Sequence, residues 1–392
     1  MKVDVVIEFR FFKTPCGTIW TASSFPYEFW SRYLEVFSNV RIIARVKYVE
    51  QVNNGWKKVI GDRVDIYELS YYEGPIQFIK KLPDLIMRFR GINDSGQCVI
   101  LRIPSFLAFL YEQIVCRRHS KKYGVEVVGD PEDVFSKKAS KSLFRRVYSW
   151  LFATIQKKQC QKAVSSAYVT ARALQRKYPP SEKSFTTNYS SIDLKQSALK
   201  YNVDYKKNEV LTFISIGNLS QPYKGCDFLL DTLQTLKQSE LNFRMMWVGG
   251  GQLLTQMIEY SQDKGLIDNV TFLGNLSGRA EIEMYLDQAD YFILPSRQEG
   301  LPRVLIEAMA RGKVCISSDV GGVNELLDER FVFIPDNMSD LLSKIKFVTN
   351  LDEDELLHES NRNTKRSEYY LNTNLQKNRN SMYKSLIGNL TK

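Results

Sequence analysis

The sequence predicts an α/β protein of two doubly wound, Rossmann-like domains facing a central cleft. Three observations predict it. At 392 residues the chain is too long for one core. Short apolar runs alternate with amphipathic stretches, the pattern of parallel strands covered on both faces by helices. Glycine-bearing turns recur at the carboxyl ends of those runs, where ligands of such sheets bind.

The first run, Val3-Asp-Val-Val-Ile-Glu-Phe9, reads as an opening strand rather than a signal peptide. Further strands are expected at 40–46, 64–68, 98–103, 125–129 and 166–170. A polar, Asn- and Ser-rich connection around Thr186–Asn208 then separates the halves. Beyond it the alternation is regular. Strands are expected at Leu211–Gly217, Phe243–Gly249, Val270–Gly274, Asp290–Pro295, Val314–Ser317 and Phe331–Ile334, with helices at 226–238, 251–263, 279–288, 303–311 and 338–348. The expected domains are 1–200 and 201–370, followed by a polar, weakly helical segment, 371–392.

Composition is that of an ordinary globular protein, with 44% hydrophobic and 25% charged residues. No apolar run approaches the ~18 residues that span a bilayer. Six scattered cysteines without a CxxC pair read as buried, reduced thiols of a cytosolic protein. Charge is uneven: residues 1–200 hold 33 Lys and Arg against 18 Asp and Glu, whereas the remainder holds 21 against 26. Eleven cations and no acid lie between 134 and 181. Within 137–162, Leu143, Phe144, Val147, Trp150, Leu151 and Ile155 recur at helical steps, predicting a basic amphipathic helix whose apolar stripe enters the core. Its cations suit anionic lipid headgroups, and no nucleic-acid recognition motif accompanies them.

The most informative stretch is Glu299-Gly-Leu-Pro-Arg-Val-Leu-Ile-Glu307, directly after an apolar strand. Glu299 falls in a glycine turn and Glu307 inside the following helix. Between them, around Arg303 and Val304, lie the free N–H groups of a helix N-terminus, a ready anion site. A sugar nucleotide needs an acceptor for sugar hydroxyls, a cradle for diphosphate and an acceptor for ribose hydroxyls, in that order.

This stretch resembles the E-x7-E element of family 4 retaining glycosyltransferases, of GT-B fold, with matching residues at Pro295-Ser296, Glu299-Gly300, Glu307-Ala308-Met309-Ala310 and Gly312. The resemblance is strong over 211–330 and topological before that, and the capsule and lipopolysaccharide enzymes are its nearest kind. It implies a nucleotide-sugar donor, UDP-sugar favoured, held by the second domain, with Glu299, Gly300, Leu301, Arg303, Val304 and Glu307 contacting it. Ser215-Ile-Gly217-Asn218 and Lys224 end the first strand of that domain, where a glycine turn and a lysine suit diphosphate. Family members commonly carry an Arg at the Asn218 position, so here neutralisation leans on Lys224, the helix N-terminus and Arg303. Gly249-Gly250 and Gly274-Asn275 match the turns that approach the nucleotide, and Glu325, after Gly321-Gly322, reads equally as a helix-start acid or a ligand contact.

The resemblance further implies retention of configuration, with Glu299 and Lys224 catalytic, and a last segment crossing back to the first domain. On the acceptor side it points to Gly17 in Thr14-Pro-Cys-Gly17-Thr18 and to Asp130, at the end of Val125–Gly129. Asp130 reads equally as an acceptor base or as the stabiliser of a Pro turn. Asp352-Glu-Asp354 superficially matches a metal-binding DxD element but lies remote from every glycine turn; no metal or other cofactor is expected. The expected acceptor is a glycan or lipid-linked glycan at the inner face of the cytoplasmic membrane, with the protein peripheral there. Two alternatives stay open: a sugar-nucleotide epimerase of the same fold, and a non-catalytic nucleotide-sugar-binding scaffold.

Overall fold

The computed structural model describes residues 1–22, 24–93, 97–134, 145–205, 208–239, 241–276 and 278–390. Two sheets organise the chain. In the C-terminal sheet all neighbours are parallel, and the spatial order is Val270–Gly274, Phe243–Val248, Leu211–Ile216, Tyr291–Leu294, Val314–Ser318, Val332–Phe333. The winding therefore reverses between the first strand, Leu211–Ile216, and the fourth, Tyr291–Leu294: strands are added outward on one side of the first and then on the other. Such a topological switch opens a crevice outside the strand ends.

The N-terminal sheet repeats the plan. Its parallel body runs Val64–Ser70, Asn39–Tyr48, Lys2–Lys13, Cys98–Ile103, Gly124–Val127, Ser165–Tyr168, Phe185–Asn188. The central strands are buried on both faces, as their continuous Val/Ile/Leu runs require. Two short antiparallel strands, Ile19–Thr21 and Lys57–Lys58, extend the far end of the first strand. Neither they nor Phe185–Asn188 stand out in the sequence, being only two to four residues long.

One face of this sheet packs Val6, Leu101 and Val125 against helices Gly74–Arg90, Phe106–Tyr111 and Arg145–Lys162 through Phe89, Leu107 and Cys160. The other packs Val5 and Ile100 with Trp30, Tyr33 and the terminal helix Asn372–Leu390 through Met382, Tyr383 and Leu386. At the centre of that second layer sits Glu126. Its carboxylate accepts from Tyr33 Oη at 2.9 Å, Tyr189 Oη at 2.9 Å and Tyr383 Oη at 3.3 Å, and it pairs with buried Arg102. Four donors around one buried anion offset its desolvation.

The basic segment departs from expectation. Val147, Trp150 and Leu151 point outward, and the core side of the helix is built from Ala153, Gln156 and Cys160 instead. Lys137, Lys138, Lys141, Leu143 and Phe144 lie outside the described residues. Asp352 caps helix Glu353–Ser367 through a capping box with Glu355, which accounts for that acidic run.

Glu126→Ala leaves Arg102 buried without its counter-ion and should destabilise the protein by about 3–5 kcal/mol. Urea unfolding measures this; a loss below about 1 kcal/mol would mean Arg102 is compensated elsewhere.

Candidate active site

The loops at the C-terminal switch point bring the sequence-singled residues together. Lys224 ends the short turn Pro222–Lys224 after the first strand, and Glu299 lies in the loop after Tyr291–Leu294. Lys224 Nζ donates to Glu299 Oε1 at 2.7 Å, and Ser296 Oγ donates to the same oxygen at 2.8 Å. Both charged side chains are largely buried. Gly225 makes this approach possible: it holds φ +72°, and a Cβ there would lie 2.0 Å from the Pro295 carbonyl oxygen.

Arg297 fixes the two loops against each other. Its backbone N–H donates to Tyr223 O at 2.7 Å, and its guanidinium reaches Pro222 O at 2.7 Å. It also forks onto Asp227 at 2.7 and 2.9 Å and meets Asp336 at 2.7 Å. Sequence reasoning passed over Arg297, because its partners are 70 and 39 residues away and leave no local signature.

The glycine turns line up beside this pair. The stem of Lys224 lies over Gly217, whose carbonyl accepts from Trp247 Nε1 at 3.0 Å. Gly249 takes φ +123° and packs against the Gly217 carbonyl so closely that a Cβ would sit 2.3 Å from it. Gly250 N–H donates to Asn275 Oδ1 at 2.8 Å, and Gly249 N–H to Gly274 O at 2.7 Å, joining the next two turns. Asn218 does not aim a side chain at a phosphate: its Oδ1 accepts from Ser220 N–H at 2.7 Å and closes its own turn.

Helix Arg303–Ala310 begins after Pro302 with no side-chain cap, so its first N–H groups remain available, with Val304 half-buried among them. Gly300, Leu301 and Arg303 line a cavity of about 710 Å³ whose other wall comes from the N-terminal half: Phe25, Phe29, Arg32, Arg102, Ser190 and Ser191 among others. Glu307 opens instead on a second cavity of about 250 Å³, walled by Leu194, Leu276, Ile282 and Leu286 with Arg279 at its edge. Burial pushes the Glu307 carboxyl above the usual carboxylate range, against the pull of Arg303 and Arg279.

The acceptor-side expectations fare differently. Asp130 is fully engaged: its oxygens take Tyr178 Oη at 2.6 Å, Lys177 Nζ at 2.5 Å and Glu132 N–H at 2.9 Å. That is the turn-stabilising reading: both oxygens carry hydrogen bonds from residues around the Pro131 turn. Gly17, at φ +83°, closes the hairpin between Lys2–Lys13 and Ile19–Thr21 and does not line the cavity. The segment Ser24–Arg32 takes its place, unmarked in sequence because it is apolar and irregular. Glu325 is a contact between the halves, accepting from Ala171, Arg172 and Ala173 N–H at 2.5, 2.8 and 2.7 Å. Among the described residues no cluster of His, Cys, Asp and Glu could hold a metal ion.

Two Rossmann-type sheets with a cleft between them define a GT-B protein, and known proteins agree. The chain matches the structure of sucrose-phosphate synthase from Thermosynechococcus elongatus with a TM-score of 0.68 at 14% identity, covering 99% of this chain and 100% of that one. Residues 201–367 match the family model for group 1 glycosyl transferases. Among relatives, Protein CapJ of Staphylococcus aureus is 27% identical over 323 residues, 82% of this chain and 80% of its own length. The UDP-Gal:alpha-D-GlcNAc-diphosphoundecaprenol alpha-1,3-galactosyltransferase of Escherichia coli is 26% identical over 184 residues, 44% of this chain and 46% of its own length.

Arg297→Lys keeps the charge but loses the fork on Asp227, letting the Lys224 turn move relative to Glu299. Turnover should fall roughly tenfold in a variant that melts near wild type. Unchanged turnover would show that Arg297 positions neither residue.

Proposed function

We propose that the chain transfers a sugar from a nucleotide-sugar donor, UDP-sugar favoured, with retention of configuration, onto a glycan or lipid-linked glycan acceptor in surface-polysaccharide synthesis. The observation that carries this reading is the Lys224–Glu299 pair at the switch point, beside the uncapped start of Arg303–Ala310. Donor diphosphate draws Lys224 away from Glu299 and seats its oxygens on the free N–H groups. Glu299, released, accepts from hydroxyls of the donor sugar. Glu307 accepts from the ribose hydroxyls, and the apolar walls of its cavity enclose the nucleoside. The base and acceptor chemistry rest on the Escherichia coli relative, whose name specifies a UDP-sugar donor and a diphosphate-lipid acceptor.

In this reading residues 1–200 hold the acceptor, 201–370 hold the donor, and 371–392 cross back to the first domain. Asp130 is left out of the chemistry, since its oxygens are occupied. With no enzyme nucleophile placed at the sugar, the acceptor oxygen attacks the anomeric carbon from the face the diphosphate leaves. The bond to the diphosphate oxygen breaks as the new one forms, and the acceptor proton passes to that departing oxygen. Lys224 and the helix N-terminus stabilise the negative charge developing there. No metal is assigned to the site.

Glu299→Ala should act mainly on turnover and Glu307→Ala mainly on donor affinity, each by roughly ten- to a hundredfold. Steady-state kinetics of the purified variants separates the two effects, and values within about twofold of wild type for both would sink the assignment. Proton NMR of the product reads the anomer directly; an inverted linkage would remove the front-face mechanism. Product formed from the donor alone, without acceptor, would identify an epimerase instead.

Activity should also persist in excess chelator, because Lys224 and the helix N-terminus stand where a cation would. Complete loss with EDTA, restored by magnesium or manganese, would overturn this.

A further inference from the structure

Helix Gly74–Arg90 is apolar on two opposite faces. Phe78, Leu82, Leu85 and Phe89 pack inward, as any helix on a sheet requires. Ile76, Ile79, Pro83 and Met87 repeat at steps of three and four on the other side, and there Ile76 is 71%, Ile79 63% and Met87 65% exposed. Helix Arg145–Lys162 carries a matching outward line, Val147, Trp150 and Leu151, with Trp150 68% exposed. The two helices lie on the same face of the N-terminal sheet, linked through Phe78, Phe106 and Phe152 with ring centroids 4.7 and 5.8 Å apart. Their outer lines therefore point away from the sheet on one side.

We propose that these two outer lines form a single docking face that inserts into an anionic lipid surface. It rests on the reading above only in that a lipid-linked acceptor would be reached there. Charge selects the occupant. Lys80 and Arg90 flank the line on the first helix, while Arg146, Lys157 and Lys158 are exposed on the second. The second helix contains no acid, and Asp84, the lone acid of the first, is engaged by Ser70 and Arg88. Apolar side chains standing out of convex helices and ringed by cations match acyl chains beneath anionic headgroups. A tryptophan at the edge suits the interfacial zone. This differs from a purely cationic patch, in which the apolar residues would be buried and only lysines would meet the lipid.

The test uses the full chain with phosphatidylglycerol-containing and pure phosphatidylcholine vesicles, some with brominated acyl chains. Wild type should co-sediment with the anionic vesicles, and the brominated chains should quench part of its tryptophan fluorescence. Trp150→Phe should still sediment but lose that quenching. The double variant Ile76→Ser, Ile79→Ser should lower vesicle partitioning at least about tenfold, from the apolar area it withdraws. Changing Lys80, Lys157 and Lys158 to Gln should weaken binding to anionic vesicles and leave the residual binding less sensitive to salt. UDP binding by each variant, measured in parallel without vesicles, should match wild type. Its loss in wild type would refute the donor-site reading while leaving the vesicle result standing. Sedimentation without quenching would overturn insertion. A concentration-dependent dimer abolished by the two serine substitutions would assign the face to a second copy of the chain.

Discussion

The site depends on the reversal of winding between the parallel neighbours Leu211–Ile216 and Tyr291–Leu294. In a parallel sheet neighbouring loops ordinarily leave toward the same side and crowd each other. Where winding reverses, the two central loops diverge to opposite faces and leave a crevice above the strand ends. Lys224 and Glu299 come from those two loops, and Gly225 allows them to meet. Arg297 then holds the turn of one against the strand end of the other through backbone and side chain together. A buried pair of this kind contributes little to stability and is strongly destabilised if one member is removed.

The halves are joined by contacts of different character. Glu325 places a carboxylate on three consecutive N–H groups, and a Cβ at Gly300 would approach the Val128 carbonyl oxygen to 2.9 Å. These are small polar contacts at the rim of a large cavity, of the sort that can part without exposing a core. The terminal helix is bound in the opposite manner. Met382, Tyr383 and Leu386 are fully buried against the N-terminal sheet, and Tyr383 reaches the Glu126 carboxylate. Its anchorage belongs to the fold, whereas the Glu325 contact belongs to the cleft.

Much of this was legible in the sequence, and the reasons are specific. Continuous apolar runs, three of them ending in glycine, locate the C-terminal strands within a residue or two, because burial on both faces demands such runs. Glu299 and Lys224 were legible because each sits beside a glycine whose geometry no other residue supplies. What escaped depends on long-range partners. Arg297 looks like any surface arginine until Asp227 and Asp336 are placed around it. Asp130 looks like a free carboxylate at a strand end until Lys177 and Tyr178 arrive from 47 and 48 residues away. The hydrophobic period of Arg145–Lys162 was read correctly as helical, but periodicity cannot say which side of a helix the core lies on when small residues serve the inward face.

That ambiguity has a structural consequence. The helices with outward apolar lines occupy one face of the N-terminal sheet, and the crossing terminal helix occupies the other. Anything that engages the first face leaves the Glu126 hub and the terminal helix untouched. The cleft, at the carboxyl ends of the strands, adjoins both layers without belonging to either. The excess of cations in residues 1–200 and of acids in the remainder then has a physical sense. An anionic surface would attract the first half and repel the second.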